Sequence, residues 1–332
     1  MLQSDLLSKT IKLSGAMHVL FLNSAAHPFV NLAARQVRTG TITLAEDNVA
    51  TLHATTLRHI PYHEYTLREP PATMDIAILD LLYQPNNAWI QYGLQLAAYA
   101  LKQTGTLYVT GAKERGILST KKRMEELFGN VETLAIHKGQ RVLAARKGNQ
   151  TAVIPLMNLL DAPSVFATGK LDEGTRLLLD ALEVRKTDDA LDLGSGAGYL
   201  GLRIARLATK GSVTMVDASL VAVALARRLS EQSGLSNVRV LPGDGAQAVL
   251  AQRFDLVVTN PPFHLGGLQT SAIAHRFIRE AAHVLRPRGR FYLVANRFLK
   301  YEPTLQAHFH AIEEVGGNTR YKVLRAMQPK QP

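Results

Sequence analysis

Apolar and polar positions change period repeatedly along the second half of the chain. LLLDALE (177–183) has the spacing of a helix, and ALDL (190–193) is a short buried run that ends in a glycine-rich turn. YLGLRIARLA (199–208) repeats its apolar residues at helical spacing, while SVTMVD (212–217) alternates as a strand does and closes on an acid. SLVAVALARRLSEQSG (219–234) predicts a helix capped by Ser219 and stopped by Gly234. NVRVLPGDG (237–245) reads as a strand running into a turn, and FDLVVTN (254–260) as another strand. IAHRFIREAAHVL (273–285) is helical in pattern and RFYLVAN (290–296) a further strand. Strands alternating with helices predict an α/β fold with a mostly parallel, doubly wound sheet. Ligands on such sheets bind beyond the carboxyl ends of the strands. The glycine turn, Asp217, Asp244 and Asn260 all fall at those ends.

The same order of blocks occurs earlier in the chain. VLFLNSAAHPF (19–29) lies against ALDLGSGAGYL (190–200), and ILDLLYQPNN (78–87) against VTNPPFHLGG (258–267). TGTLYVTGAKERGI (104–117) lies against RGRFYLVANRFLK (288–300). Asp75 then faces Asp255, and Asp80 faces Asn260. These matches predict a duplication of one α/β domain, with boundaries at 1–150 and 151–332 and an aperiodic linker over 149–163. The copies differ where chemistry would sit. Gly194, Gly196 and Gly198 stand against Asn23, Ala25 and His27, and Asn-Pro-Pro-Phe against Asp-Leu-Leu-Tyr. The first copy is therefore expected to be degenerate, serving stability or substrate docking.

Composition narrows the choices. The chain has 332 residues, enough for two domains, with 46% hydrophobic and 20% charged residues, as in a globular protein. The absence of cysteine excludes disulfides, iron–sulfur clusters and thiolate-bound zinc, and no metal is expected. Its apolar runs are too short to span a membrane, and its first residues lack the pattern of a signal peptide, so a soluble, cytoplasmic protein is expected. The net charge is +11, spread over both halves. A globular protein this basic points to a polyanionic partner, nucleic acid first. Candidate phosphate contacts are Lys121-Lys122-Arg123, Arg286-Arg288-Arg290, Arg297-Lys300 and Arg320-Lys322-Arg325.

The glycine loop, Asp192-Leu-Gly194-Ser-Gly196-Ala-Gly198, allows two readings. Gly196-Ala-Gly198-Tyr-Leu-Gly201 fits the dinucleotide fingerprint, with Asp217 as its ribose acid, so a nicotinamide dehydrogenase is one candidate. However, the loop opens on an acid, which repels a pyrophosphate and suits a cationic ligand. Asn260-Pro261-Pro262-Phe263 also sits at a later strand end, where a dehydrogenase has no use for it.

A nucleobase amino group is a poor nucleophile, because its lone pair is delocalised into the ring. Two acceptors on its two N–H bonds can turn that lone pair toward an incoming methyl group. The Asn260 side-chain oxygen supplies one acceptor and the Pro261 carbonyl the other. Two consecutive prolines lock that carbonyl in place before substrate arrives. Phe263 can stack on a flat base, and His264 can relay a proton or hydrogen bond. Once methylated, the nitrogen is cationic and acidic, so no dedicated base is required.

The D-x-G-x-G-x-G loop resembles motif I of class I S-adenosylmethionine-dependent methyltransferases, and Asn-Pro-Pro-Phe resembles motif IV of amino-methylating enzymes. With VFATGKLDEGTRLLLDAL (165–182), GGLQTS (266–271), FYLVANRFLKYEP (291–303) and NTRYKVLRAM (318–327), the chain resembles the ribosomal RNA small-subunit methyltransferase C family and its large-subunit relative. The likeness is dense over 165–327 and loose over 1–150. It implies two tandem Rossmann-like class I methyltransferase domains, of which the second is catalytic. The implied activity is methylation of guanine N2 in small-subunit (16S) rRNA by a monomer acting on rRNA or a ribosomal subunit. A large-subunit (23S) rRNA, a protein glutamine or an adenine N6 is the alternative target.

The resemblance places S-adenosylmethionine on Asp192, Gly194, Gly196, Gly198, Asp217, Asp244, Gly245 and Asn260. It makes Asn260, Pro261 and Phe263 catalytic, and gives Pro262, Phe263, His264, Phe166 and Lys170 to the substrate. Gly169, Asp172 and Gly174 would help to close the pocket, and the last strand, near Tyr321–Arg325, would run antiparallel at the sheet edge.

Overall fold

A computed structural model describes residues 2–52, 55–152, 155–161, 172–262, 264–265, 268–269 and 271–330. The chain divides into two compact units, Met1–Val165 and Phe166–Pro332, rather than at 150/151. The difference has a local cause. Ala152 N donates to Leu127 O (2.7 Å) and Met157 N to Gln95 Oε1 (3.1 Å), and Leu159 is buried. The described residues of the expected linker, Ala152, Met157 and Leu159 among them, are thus bound to the first unit.

The first unit holds strands β1 His18–Leu22, β2 Thr41–Glu46, β3 Arg58–Pro61, β4 Met74–Asp80, β5 Leu101–Ala112, β6 Glu132–His137 and β7 Gln140–Arg146. Its helices are α1 Leu2–Thr10, α2 Phe29–Gln36, α3 Tyr65–Arg68, α4 Asn87–Ala100 and α5 Ile117–Phe128. The second holds β8 Ala190–Leu193, β9 Val213–Asp217, β10 Val238–Pro242, β11 Phe254–Thr259, the short pair β12 His264–Leu265 and β13 Leu268–Gln269, then β14 Leu285–Asn296, β15 Phe309–Gly317 and β16 Tyr321–Pro329. Its helices are α6 Glu173–Ala181, α7 Tyr199–Leu207, α8 Leu220–Ser233, α9 Ala272–Val284 and α10 Glu302–His308.

Each unit carries a seven-stranded sheet with the same order. The sheets run β3-β2-β1-β4-β5-β7-β6 and β10-β9-β8-β11-β14-β16-β15. In each, the first five strands of the order are parallel and the last two pairings antiparallel. The last strand, β16, is antiparallel but lies one place inside the edge, which β15 forms. Two class I methyltransferase folds in tandem account for this order, and the duplication extends to single side chains. Asp75 accepts from His18 N (2.8 Å) and pairs with Lys102 (2.7 Å). Its counterpart Asp255 accepts from Asp189 N (3.1 Å) and pairs with Arg286.

The central strands are buried on both faces, as their unbroken apolar runs require. Leu191, Leu193, Val257, Phe291 and Leu293 pack on one side of the second sheet. Ala190, Leu256, Val258, Tyr292 and Val294 pack on the other. Ser219 caps α8 by accepting from Ala222 N (3.1 Å), and Gly234 ends it at φ +67°. Strand order reverses between β8 and β11, which opens a crevice beyond their carboxyl ends.

Candidate active site

Two loops meet at that crevice. Val258 is level with Asp192 in the β8–β11 register, so Asn260 follows β11 where the glycine loop follows β8. The buried Thr259 hydroxyl donates to the Leu193 carbonyl (2.7 Å), tying the two loops together.

Gly194, Gly196 and Gly198 all have positive φ, at +74°, +54° and +84°. At Gly198 a Cβ would also stand 2.9 Å from Met215 Sδ, so glycine is required there twice over. Asp192 is buried, and its Oδ2 accepts from Gly201 N (2.8 Å) in the first turn of α7. Burial pushes its carboxyl up to about 7, and the Asp217 charge adds to the rise. Asp217 is half-buried at the end of β9, accepting from Gly196 N and Ser219 N, each at 2.8 Å. Burial raises its pKa too.

S-adenosylmethionine, with its sulfonium and ammonium groups, suits this donor set. Two raised carboxylates sit at adjacent strand ends with no cation paired to either among the described residues. Ser195 Oγ, inside the loop, is buried with no hydrogen-bond partner among the described residues. A cationic ligand with polar groups answers both conditions.

Asp244 forms an ion pair with Arg276 of α9. Gly245 has φ +62°, and a Cβ there would meet Glu280 Oε2 at 2.2 Å. Glu280 in turn accepts from Ala246 N (2.8 Å), so this turn is locked to α9.

Asn260 Nδ2 donates to Asp172 Oδ1 (3.1 Å) and to Thr175 Oγ1 (2.9 Å) at the start of α6. Pro261 is buried and Pro262 exposed, and no donor reaches the Pro261 carbonyl among the described residues. Phe263, Phe166, Gly169 and Lys170 lie outside the described residues. His264 is placed only by its backbone, in β12. Sequence reasoning passed over Thr175, Ser195 and Arg276. Only Thr175 left a local signal, three residues after the capping Asp172.

Most of the basic clusters expected to meet RNA are committed inside the second unit. Arg290 is buried against Asp188, and Lys322 is buried against Glu302. Arg286 bridges Asp189 (3.0 Å) and Asp255, at the end of the sheet opposite Asn260. Arg325 pairs with Glu183 (2.9 Å) and Glu313 (2.7 Å), and Arg297 with Glu314 (2.7 Å). Arg320 pairs with Glu173 (3.1 Å) but remains 69% exposed. In the first unit, Lys121 donates to Thr133 Oγ1 (3.3 Å) and Arg123 to Asn87 Oδ1 (3.4 Å). Arg288 and Lys300 are exposed and without ion pairs among the described residues.

The equivalent place in the first unit is filled by its own side chains. Glu46, matching Asp217, accepts from Ala25 N (2.8 Å), Asp47 N (3.0 Å) and Asn48 N (3.0 Å). Gln84 Nε2 donates to the carbonyls of Leu22 (3.3 Å), Asn23 (3.1 Å) and Asp80 (2.9 Å). His27 and Asp80 are fully buried, with Nε2 and Oδ2 3.4 Å apart. His27 also packs edge-on against Tyr83.

Known proteins agree with this architecture. Residues 156–325 match the Methyltransferase small domain family. Ribosomal RNA small subunit methyltransferase C of Hahella chejuensis is 31% identical over 250 residues, covering 71% of this chain and 72% of that protein. Its namesake in Shewanella halifaxensis is 30% identical over 295 residues, covering 80% and 85%. A solved structure of the T. thermophilus 16S rRNA N2 G1207 methyltransferase, in complex with AdoMet and guanosine, superposes with a TM-score of 0.85 at 32% identity, covering 99% of this chain and 92% of that one. With the duplicated sheet and the Asn-Pro-Pro loop set against a glycine loop, these matches place the chain in the Methyltransferase small domain family, among the small-subunit methyltransferase C proteins.

Proposed function

We infer that this chain transfers the methyl group of S-adenosylmethionine to the exocyclic N2 of a guanine in 16S rRNA. The observation that carries this reading is the state of Asn260. Its amide nitrogen is spent on Asp172 and Thr175, so its Oδ1 is left to accept from an amino group. The Pro261 carbonyl is a second acceptor beside it, held by proline geometry. Two acceptors on one NH2 group orient its lone pair, and binding energy is not consumed in ordering them.

Bound S-adenosylmethionine supplies a methyl group activated by the sulfonium charge. Asp192 and Asp217 are the carboxyls that would offset the cofactor's positive charge. Asp217 would keep a lone pair for ribose hydroxyls beyond its contacts with the backbone N–H groups of Gly196, Ala218 and Ser219. Gly194, Gly196 and Gly198 would let the backbone approach the cofactor, and the Asp244–Gly245 turn would hold its adenine end. By the family resemblance Phe263 would stack on the guanine, and Pro262, His264, Phe166 and Lys170 would belong to its pocket. A base inside RNA must leave its stack to reach Asn260. The T. thermophilus relative names G1207 as its target, and the corresponding guanine is the target expected here. The protein acts as a monomer in the cytoplasm, where its substrate is made.

Labelled methyl transfer to unmodified small and large ribosomal subunits and their free rRNAs, followed by nucleoside analysis, tests this. N2-methylguanosine in 16S rRNA is expected. Label in 23S rRNA alone, or on a protein glutamine, overturns it. Asn260→Ala should lower the transfer rate by about 100-fold or more while cofactor binding persists.

A further inference from the structure

The hydrogen bonds around Asn260 have only one possible direction, and that direction decides which way its amide points. The Asp172 carboxylate only accepts. Its Oδ1 takes the Thr175 N–H (3.0 Å), and its Oδ2 takes the Thr175 hydroxyl (2.6 Å). The Thr175 hydroxyl has a single proton and gives it to Asp172. Toward Asn260 that oxygen can therefore only accept, at 2.9 Å. Asp172 Oδ1 also faces the amide, at 3.1 Å, and can only accept. An Asn260 rotated by half a turn would set its own oxygen against two acceptors, so the flipped amide is excluded.

Space at the site agrees with this. Gly174 sits between these groups, and a Cβ there would stand 3.1 Å from Asp172 Oδ1 and 3.6 Å from Asn260 Nδ2. Thr175 is buried, so water competes poorly for its hydroxyl. A negative charge behind the amide nitrogen also polarises the amide, making Oδ1 a stronger acceptor.

We propose that Asp172 and Thr175 are positioning residues that lock the Asn260 amide with its oxygen toward the target amino group. The proposal rests on the reading that Asn260 Oδ1 accepts from that group. It gives α6 a second task beyond packing, since the pair that caps the helix also sets the acceptor.

Single-turnover transfer to unmodified small ribosomal subunits, with cofactor affinity measured by calorimetry, tests the lock. Thr175→Ser keeps the hydroxyl and should retain the rate. Thr175→Val keeps the backbone capping bond and loses only the hydroxyl. It should slow transfer by about 10- to 100-fold, with cofactor affinity changed by less than about twofold. Asp172→Asn still caps α6. Its new NH2 donates to Thr175, whose hydroxyl no longer has to accept from Asn260, while the capping oxygen still holds the amide. With one of the two contacts loosened and the charge removed, transfer should slow by about 2- to 10-fold, and an unchanged rate overturns the lock. This variant carries the test should Thr175→Val melt early. In the Asn260→Ala background, Thr175→Val should add nothing.

Equal rates for Thr175→Val and Thr175→Ser overturn the lock, as does a full further loss in the Asn260→Ala background. A near-normal rate for Asn260→Ala alone overturns the underlying reading of Asn260, and the lock with it.

Discussion

Among the described residues no cation stands beside the buried Asp192 carboxyl. Its folded pKa, raised by burial to about 7, lies above the usual carboxylate value near 4. Between those limits the folded form holds a proton that the unfolded form has lost. Stability from this group is therefore complete below about pH 4 and is lost as pH rises to about 7. A bound cation reverses the preference by favouring the ionised carboxyl. S-adenosylmethionine should thus bind more tightly at pH 8 than at pH 6, and Asp192→Asn should flatten that dependence in calorimetric titrations. Asp80 in the first unit is also raised to about 7, mainly by burial, but it should shift only melting, not cofactor affinity.

Gln84 is the other residue whose role the structure defines, with one side-chain nitrogen set against three backbone carbonyls. Gln84→Ala leaves buried acceptors unmatched and should destabilise the protein by about 1–3 kcal/mol in denaturant titrations. Transfer per folded molecule should be unchanged. Of the residues put forward from sequence, the glycines were legible because positive φ leaves few alternatives. Thr175 was not, because its importance lies in a bond to a residue 85 positions away.

At the scale of elements, strands and helices of the second unit follow the periodicities closely, down to the Ser219 cap and the Gly234 stop. The basic clusters did not survive in the same way. Arg286, Arg288 and Arg290 resemble a phosphate-binding run, yet Arg290 faces inward from β14 onto Asp188, and both are buried. Breaking that pair leaves Asp188 charged and uncompensated, so Arg290→Met should cost about 3–5 kcal/mol in equilibrium unfolding. RNA affinity of the folded variant should hold. Alternation along a strand marks inside from outside, but it does not say that an inward arginine has a carboxylate waiting.

For the whole molecule, the net charge of +11 remains the argument for a polyanionic partner, even though many cations are paired. Of the cations singled out from sequence, Lys122, Arg288, Lys300 and Arg320 remain exposed and are the candidates to meet phosphates. With about three such contacts, raising salt from about 50 to about 200 mM should weaken RNA binding roughly 20-fold. Cofactor affinity should move far less over the same range, as filter binding and calorimetry would show. No described helix is long and apolar enough to cross a membrane.

The amino-acid sequence by itself determined the α/β class, the duplication and the two loops that carry the chemistry. Each of these is encoded locally, in a period of two or 3.6 residues or in backbone restricted by glycine and proline. Only the tertiary structure decided which way the Asn260 amide points, which arginines are free, and what fills the first unit's crevice. Those answers depend on partners brought together from distant parts of a unit, such as Asp172 with Asn260 or Gln84 with Leu22, and folding alone makes them neighbours.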